Sequence, residues 1–246
     1  RQVSVSWNPG SLSLESGYTT ANWGQGKAFS PADFFAEIDI ASGQPERRSK
    51  LLFRASWFPG PLSRIDLVAS PQIHGPALAA ARGYGLAGDT LALGISAGYQ
   101  APYSGEPSFA LSGFEASLDL PWLSPYLEAA FRLPMDGSLD LGELQATFMA
   151  GSTAKIGSLH LLGEWLWKIS PAPDFSVFAL ATYPFDEWIS LAAPLSFDPD
   201  TGALSAGLAL GAAELWGLDF SIGAQGAKDG TGRWTLGFSL QMQTRF

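Results

Sequence analysis

The stretch Arg233-Trp-Thr-Leu-Gly-Phe-Ser-Leu-Gln-Met-Gln-Thr-Arg-Phe246 alternates between apolar residues and polar or small ones. Trp234 and Phe238 belong to its apolar set, whereas Ser239 and Gln241 belong to its polar set. Successive side chains of a β-strand point to opposite faces. This period of two therefore predicts a strand with one apolar face and one polar face.

The same alternation recurs along the whole chain. For example, Leu127, Ala129 and Phe131 alternate with Glu128 and Arg132. About fifteen such segments, each roughly 8–15 residues long, match membrane-spanning strands, which need about 9–11 residues. The predicted strands lie near 2–8, 11–18, 50–58, 62–70, 79–86, 90–99, 107–120, 125–134, 143–151, 154–169, 174–184, 187–198, 203–212, 215–226 and 232–246.

The connections between these segments alternate between short turns and longer loops. Short turns at one end and longer loops at the other are typical of outer-membrane barrels. Gly113 interrupts the alternation within 107–120 and predicts a β-bulge there. The predicted short turns are 59–60, 86–89, 121–125, 151–155, 184–187 and 212–215, and the longer connections are 19–49, 70–78, 100–106, 135–142, 170–173 and 226–231.

Aromatic residues cluster beside the short turns and at the terminus. If all the short turns lie at one end of a barrel, these rings form a girdle at one height. Amphipathic rings prefer the headgroup level of a membrane, which gives such a girdle a physical cause. The predicted girdle contains Trp7, Trp57, Phe58, Trp122, Tyr126, Tyr183, Phe185, Trp188, Trp216 and Phe246.

The composition agrees with a membrane β-protein. Charged residues make up 15% of the 246 residues, below the roughly 25% of soluble domains. No apolar run approaches the about 18 residues of a transmembrane helix. The net charge of −9 excludes nucleic acid as a partner, and the absence of cysteine excludes disulfides and thiolate metal sites.

These observations predict an all-β fold: an antiparallel transmembrane β-barrel of about 14 strands, within a range of about 12 to 16. Residues 1–246 would form this single domain, either complete or lacking N-terminal residues. Lipid offers no partner for an edge strand, so the barrel must close. Even strand numbers are the rule, so either one of the fifteen segments is wrong or a strand precedes Arg1.

The polar face of the strands would line the lumen. Charges inside a barrel tune which ions pass, and the slight excess of acids suggests a weak cation preference. The alternative is that they form cross-strand ion pairs that only fill the interior. The candidate lining residues are Glu15, Arg54, Arg64, Asp66, Glu115, Asp119, Glu128, Arg132, Glu143, His160, Glu164, Lys168, Asp219, Arg233 and Arg245.

The connection 19–49 is the longest, and loops of this length tend to be functional or disordered. Its aromatic residues argue against disorder. Two alternatives remain: a plug folded into the barrel, or an ordered outer cap without a gating role. The candidate plug or cap residues are Trp23, Phe29, Asp33, Phe34 and Phe35.

Two stretches resemble a known family. The C-terminal segment 238–246 resembles the closing strand of bacterial outer-membrane β-barrels, which end in alternating apolar residues and a terminal Phe. The resemblance implies that Phe246 belongs to the signal read by the assembly machinery. The element from Trp23-Gly24-Gln25-Gly26 to Pro31-Ala32-Asp33 resembles a Trp-Gly-x-Gly…Pro-x-Asp motif of porin-like barrels.

Catalytic and metal motifs have simpler interpretations. Gly94-Ile95-Ser96-Ala97-Gly98 matches a nucleophile elbow but lies in mid-strand, without the strand-to-helix turn that the motif requires. His160 has no identifiable Ser partner. Asp198-Pro-Asp200-Thr-Gly202 lacks the ligand spacing of a calcium loop and predicts a tight turn. The sequence therefore predicts no enzyme, no cofactor and no metal site.

The sequence favours a passive pore for small hydrophilic solutes or ions, embedded in the lipid of a bacterial outer membrane. The first alternative is a plugged structural or binding barrel that is one component of a larger envelope assembly with other proteins. The second is a soluble β-sandwich that binds carbohydrate. The last alternative explains poorly why nearly every strand carries an apolar face.

Overall fold

The computed structural model describes residues 3–39, 45–71, 75–135, 143–169, 173–215 and 218–244. Their regular structure is all β, and none of the described residues is in an α-helix. The strands are β1 (Val3–Trp7), β2 (Leu12–Thr19), β3 (Ile38–Asp39), β4 (Glu46–Arg47), β5 (Lys50–Gly60), β6 (Ser63–Ser70), β7 (Leu78–Ala87), β8 (Leu91–Gln100), β9 (Phe109–Leu118), β10 (Leu123–Pro134), β11 (Gln145–Ile156), β12 (Leu159–Ile169), β13 (Asp174–Pro184), β14 (Ile189–Asp198), β15 (Ala203–Leu215), β16 (Leu218–Lys228) and β17 (Trp234–Thr244).

Fifteen of these strands form one antiparallel meander, in which each strand pairs with the next along the chain. The two short strands β3 and β4 pair only with each other, within the long connection between β2 and β5. Over the described residues β1 and β17 are the edges of the sheet, which is not closed. The described residues include no helix long and apolar enough to cross a membrane.

Most predicted strands match the observed ones to within a few residues, and 174–184 coincides with β13. The exceptions are 143–151 and 154–169, because β11 continues to Ile156 and β12 begins at Leu159. Because the sheet is a meander, alternate connections lie at opposite ends. The connections 8–11, 61–62, 88–90, 119–122 and 157–158 lie at the short-turn end, and 20–49, 71–77, 101–108 and 135–144 lie at the long-loop end. The predicted contrast between the two ends is therefore confirmed for the first twelve strands.

Three of the predicted turns are wrong because strands continue through them. The predicted turn 151–155 lies inside β11, which continues to Ile156 and turns at Gly157, where φ is 60°. The predicted turn 59–60 falls at the end of β5, where the register shifts, and 212–215 belongs to β15. Pairing of β11 with β10 and β12 holds the first of these segments extended, whereas the other two lie at register shifts near the ends of β5 and β15.

The predicted bulge at Gly113 is also wrong. Gly113 pairs with Ser96 on one side and Ala130 on the other without a change of register. A Cβ at this position would lie 2.5 Å from the Ser96 hydroxyl oxygen on β8 and 3.2 Å from the Phe34 ring of the loop. The glycine therefore accommodates the loop that covers this face, and it does not interrupt the strand.

The main core of the described residues lies between the sheet and the loop 20–37. Trp23 is 0% exposed and contacts the Phe35 ring edge-on, with the centroids 5.3 Å apart. Leu52, Val68 and Phe109 of the sheet belong to the same cluster. The loop that the sequence marked as a plug or cap is therefore an integral part of the packing.

Candidate functional site

Burial on the sheet is inverted relative to a soluble protein. Glu128 and Glu164 on one face are 1% and 0% exposed, although carboxylates are almost never fully buried unless they are paired. On the opposite face Ile95, Trp165 and Phe238 are 67%, 61% and 83% exposed. The polar face is thus the covered one, and the loop that covers it forms the candidate site.

Glu128 on β10 binds the loop through backbone N–H groups. Its carboxylate accepts hydrogen bonds from Gln25, from Gly26 at 2.7 Å and from Ala32 at 2.9 Å. The Ser30 hydroxyl donates to it at 3.4 Å. The Glu128 carboxyl group thus provides partners for loop donors that would otherwise be buried unpaired, and it anchors residues 25–32.

Glu164 on β12 anchors the neighbouring residues of the loop. It accepts backbone hydrogen bonds from Lys27 at 2.5 Å and from Ala28 and Phe29 at 2.8 Å. The Tyr126 hydroxyl donates to its Oε1 at 2.6 Å. Each buried carboxylate thus compensates for its lost hydration with several donors, as a buried charge requires.

Arg47 and Asp33 stabilise the loop from its other side. Arg47 donates to the carbonyl oxygens of Trp23 at 3.1 Å and Gly26 at 2.9 Å, and to the Asp33 carboxylate at 2.6 Å. Asp33 also accepts hydrogen bonds from the backbone N–H groups of Trp23 and Phe35. These contacts join both ends of the Trp-Gly-x-Gly…Pro-x-Asp element into one folded unit.

Arg54 on β5 binds the start of the loop. Its Nη2 donates to the carbonyl oxygens of Thr20 at 2.8 Å and Ala21 at 2.6 Å, and its Nη1 lies 3.3 Å from a Glu15 oxygen. The described hydrogen bonds from the sheet to the loop 20–37 therefore come from β5, β10 and β12. These hydrogen bonds bind the loop to strands within the N-terminal two thirds of the sheet, from β5 to β12.

Gly151 on β11 leaves the space in which the Tyr126 ring reaches Glu164. A Cβ on Gly151 would lie 2.5 Å from that ring. We expect Gly151→Ala to displace the ring and destabilise the fold by about 1–3 kcal/mol, the usual cost of overpacking. Unfolding in denaturant measures the change. Gly163→Ala is the matched control, because nothing lies within 4 Å of its new Cβ; equal losses in both variants would contradict the proposed packing.

Loop docking is expected to depend on pH through Asp33. Burial raises the pKa of Asp33 to about 6, although Arg47 and the two backbone donors oppose this shift. Undocking would return the pKa toward 3.8, so the docked state gains stability as the pH falls, and that gain is lost as the pH rises through about 6. The full effect is on the order of 3 kcal/mol.

Hydrogen exchange of the Trp23 and Phe35 amides, corrected for intrinsic rates, measures this dependence. We expect stronger protection at pH 4.5 than at pH 7 in the native chain, and a smaller difference in Asp33→Asn. The difference between the two chains isolates the contribution of Asp33. Equal pH dependence in both would show that Asp33 does not control docking.

A second charged cluster lies toward the short-turn end of the polar face. Arg82 donates through Nε to Glu115 at 2.5 Å, and its Nη1 lies 4.0 Å from Asp66. Asp66 accepts a hydrogen bond from Ser56 at 2.6 Å, and Arg64 Nε lies 2.9 Å from its other oxygen. Arg64 and Asp66 thus pair along β6, and Arg82 of β7 joins Asp66 to Glu115 of β9 across the strands.

The Gly-x-Ser-x-Gly stretch lies within β8, without a strand-to-helix turn, as the sequence indicated. The space beside Gly94 is filled by the Glu115 side chain. His160 is exposed on β12 and pairs in register with Lys155 and Thr182. The geometry does not bring a nucleophile, a histidine and an acid together among these residues.

The predicted lumen residues separate into covered and exposed groups. The covered group, buried or half-buried, consists of Glu15, Arg54, Arg64, Asp66, Glu115, Glu128, Arg132 and Glu164. Asp119, Glu143, His160, Lys168 and Arg233 are exposed, and Glu143 precedes β11. The structure describes the backbone of Asp219, which lies on β16, but not its side chain. Arg245 lies outside the described residues.

Six residues of the predicted girdle are exposed near the short-turn end of the sheet: Trp7, Trp57, Trp122, Tyr183, Phe185 and Trp188. Tyr126 is a correction: it is 7% exposed on the polar face, where its hydroxyl binds Glu164. Phe58 lies beside a pocket on that same face. Trp216 and Phe246 lie outside the described residues.

Sequence reasoning missed Arg82, Arg47 and the anchoring role of Tyr126. The signal for Arg82 was weak because its neighbours Ala79, Ala80 and Ala81 do not distinguish one face from the other. Arg47 lies near the end of the long connection 19–49, where the alternation that assigns side chains of the predicted strands to one face gives no information.

Three carboxylates, the half-buried Asp174 and Asp198 and the exposed Asp200, lie with one oxygen each within 4.8 Å of one another. Their oxygens already have partners. Asp198 accepts the backbone N–H groups of Asp200 and Thr201, Asp200 accepts that of Phe175, and Lys168 binds Asp174. The predicted tight turn at 198–202 is confirmed.

No protein-family model matches the chain, and no curated protein is significantly similar to it.

Proposed function

We propose that the chain is a single outer-membrane β-barrel and acts as a passive pore for small hydrophilic solutes or ions. The observation that carries the proposal is the inverted burial. Large apolar side chains cover the exposed face, and buried charges lie on the other. Lipid is the solvent that suits such an apolar face, since soluble monomers rarely expose contiguous apolar patches larger than a few hundred Å².

Two aromatic bands support a membrane of ordinary thickness. Besides the band at the short-turn end, Phe131, Phe148 and Trp167 contact one another near the long-loop end, with centroids 5.8 and 6.1 Å apart. Trp122 and Phe131 are about nine residues apart, or roughly 30 Å along a strand. A tilt of about 40° reduces this to roughly 23 Å, close to the usual apolar band of about 25 Å.

Closure of the sheet is part of the proposal. In a meander of fifteen strands β1 and β17 run parallel to each other. The barrel then closes either by a parallel pair or through one further strand between them. Barrels with odd strand numbers are known, so both routes are compatible with a lipid-facing sheet.

A water-filled path is expected beside the loop. The inner positions of β14 to β16 carry small uncharged residues, among them Ser196, Ser205, Gly207, Ala209 and Gly223. The described anchors of the loop lie on β5, β10 and β12. The loop would therefore narrow one side of the lumen and leave the other side open.

The second candidate is a plugged structural or binding barrel within an envelope assembly. The firm anchoring of the loop by two buried carboxylates favours it. Single-channel conductance in a planar bilayer separates the two. Discrete steps proportional to salt concentration support the pore; insertion without conductance supports the plugged barrel; a protein that stays soluble without detergent contradicts both.

A further inference from the structure

We propose that a pocket at the short-turn end of the polar face binds a small organic carboxylate. The pocket has a volume of about 420 Å³, within the range of small-molecule sites. One wall is the loop segment 22–25, and the other is formed by β7 and the turn between β5 and β6. This proposal goes beyond pore function, because it requires a hydrated polar face and not conduction.

Hydrogen-bond donors converge on the pocket. Four residues with side-chain donors line it: Arg64, Arg82, Tyr84 and Gln25. Arg64 is half-buried and lies against Asp66 only through Nε. Among the described hydrogen bonds and ion pairs its two terminal nitrogens have no partner, so they remain free to bind a carboxylate in the two-pronged geometry that arginine favours.

The acids of this region are not part of the pocket lining. Asp66 and Glu115 are 1% and 3% exposed and do not line the pocket. They are held behind it by Ser56, Arg64 and Arg82. The buried acids thus fix the two arginines in place, while the surface that a ligand meets is dominated by donors.

The loop and the arginines are rigidly placed. Asn22 has a φ of 54°, a left-handed conformation that Asn tolerates better than most residues, and it turns the chain over the pocket. Arg82 is 4% exposed and its guanidinium lies 4.7 Å from the centre of the Tyr84 ring. A preformed donor set reduces the entropy that binding would otherwise cost.

The rim of the pocket is apolar. Phe58, Leu62 and Leu86 line it at the short-turn end and are 42%, 47% and 37% exposed. A ligand with a carboxylate and a compact apolar group would meet donors at one end and these side chains at the other. This complementarity defines the ligand class as small aromatic or aliphatic carboxylates.

Benzoate titration by calorimetry, on the refolded chain in detergent micelles, tests the proposal. We expect saturable binding of benzoate to one site in the native chain, and at least tenfold weaker binding of benzoate to Arg64→Gln. The native chain should bind the neutral probe benzamide even more weakly than Arg64→Gln binds benzoate. Arg64→Lys, which keeps the charge but loses the fork, should fall between. Lys155→Gln is the matched control, because it removes a cation at the same end of the sheet, outside the pocket.

Protection of the loop from trypsin verifies that each variant is folded. Benzoate binding that is absent, not saturable, or equally strong in Arg64→Gln and the native chain would overturn the proposal. So would an equal loss in Lys155→Gln. Since binding is measured without a membrane, a chain that binds benzoate but conducts no ions would contradict only the pore.

Discussion

Replacing Glu128 and Glu164 together by alanine is expected to release the loop 20–37 from the sheet. The two carboxylates accept the backbone hydrogen bonds of Gly26, Lys27 and Ala28, among others. Each buried N–H group left without a partner costs about 1–3 kcal/mol. Because several such groups lose their partners, the free energy of loop docking falls by far more than the contribution of a single hydrogen bond. We expect tryptic cleavage after Lys27 to accelerate by at least about 100-fold, since about 2.7 kcal/mol corresponds to that factor.

Two further variants make this result specific. Glu187→Ala removes one acid from an exposed turn and should leave cleavage after Lys27 unchanged. Glu164→Gln retains one acceptor oxygen and should give an intermediate rate. If the double alanine variant keeps native protection, the carboxylates do not anchor the loop. In a conducting barrel, the same double variant should also raise the single-channel conductance.

Placing lysine at three exposed apolar positions is expected to abolish insertion into lipid. Ile95, Trp165 and Phe238 lie near the middle of β8, β12 and β17. A lysine on the lipid face at mid-membrane depth costs about 2–4 kcal/mol, so three substitutions cost about 6–12 kcal/mol. Folding into vesicles, followed by flotation and by resistance to heat in detergent gels, measures the effect.

Lysines on the polar face are the matched control. Ser196→Lys, Ser205→Lys and Ser239→Lys together add the same charge on β14, β15 and β17, at positions whose side chains would point into water. This variant should still insert. Insertion of both triple variants, or failure of both, would contradict the assignment of the apolar face to lipid.

The strands were predictable because their signal is local. Alternation along β13 or β17 places each side chain on one of two faces, and no distant contact is needed to read it. The wrong predictions of a bulge and a turn occurred where a glycine makes room for a side chain from another segment of the chain. Gly113 and Gly151 suggested a bulge and a turn, but each leaves room for a ring, Phe34 or Tyr126, that the chain brings from another segment.

The candidate site was only partly predictable. Glu128 and Glu164 were recognised as polar-face residues, and the loop was recognised as a plug or cap. Their contact was not, because it joins Gln25 to Glu128 and Lys27 to Glu164 across more than 100 positions of the chain. Backbone N–H groups carry no sequence signature, so the donors that bind these carboxylates could not be identified from residue types.

Contact between the apolar face and lipid is tested most directly by spin labels on single cysteines in lipid vesicles, since the chain has no cysteine of its own. Labels at Ile95 and Phe238 should collide readily with oxygen, which concentrates in lipid, and rarely with a water-soluble nickel complex. Labels at Ser205 and Ser239, on the polar face, should show the reverse preference. Nickel-accessible labels at Ile95 and Phe238 would contradict the membrane assignment.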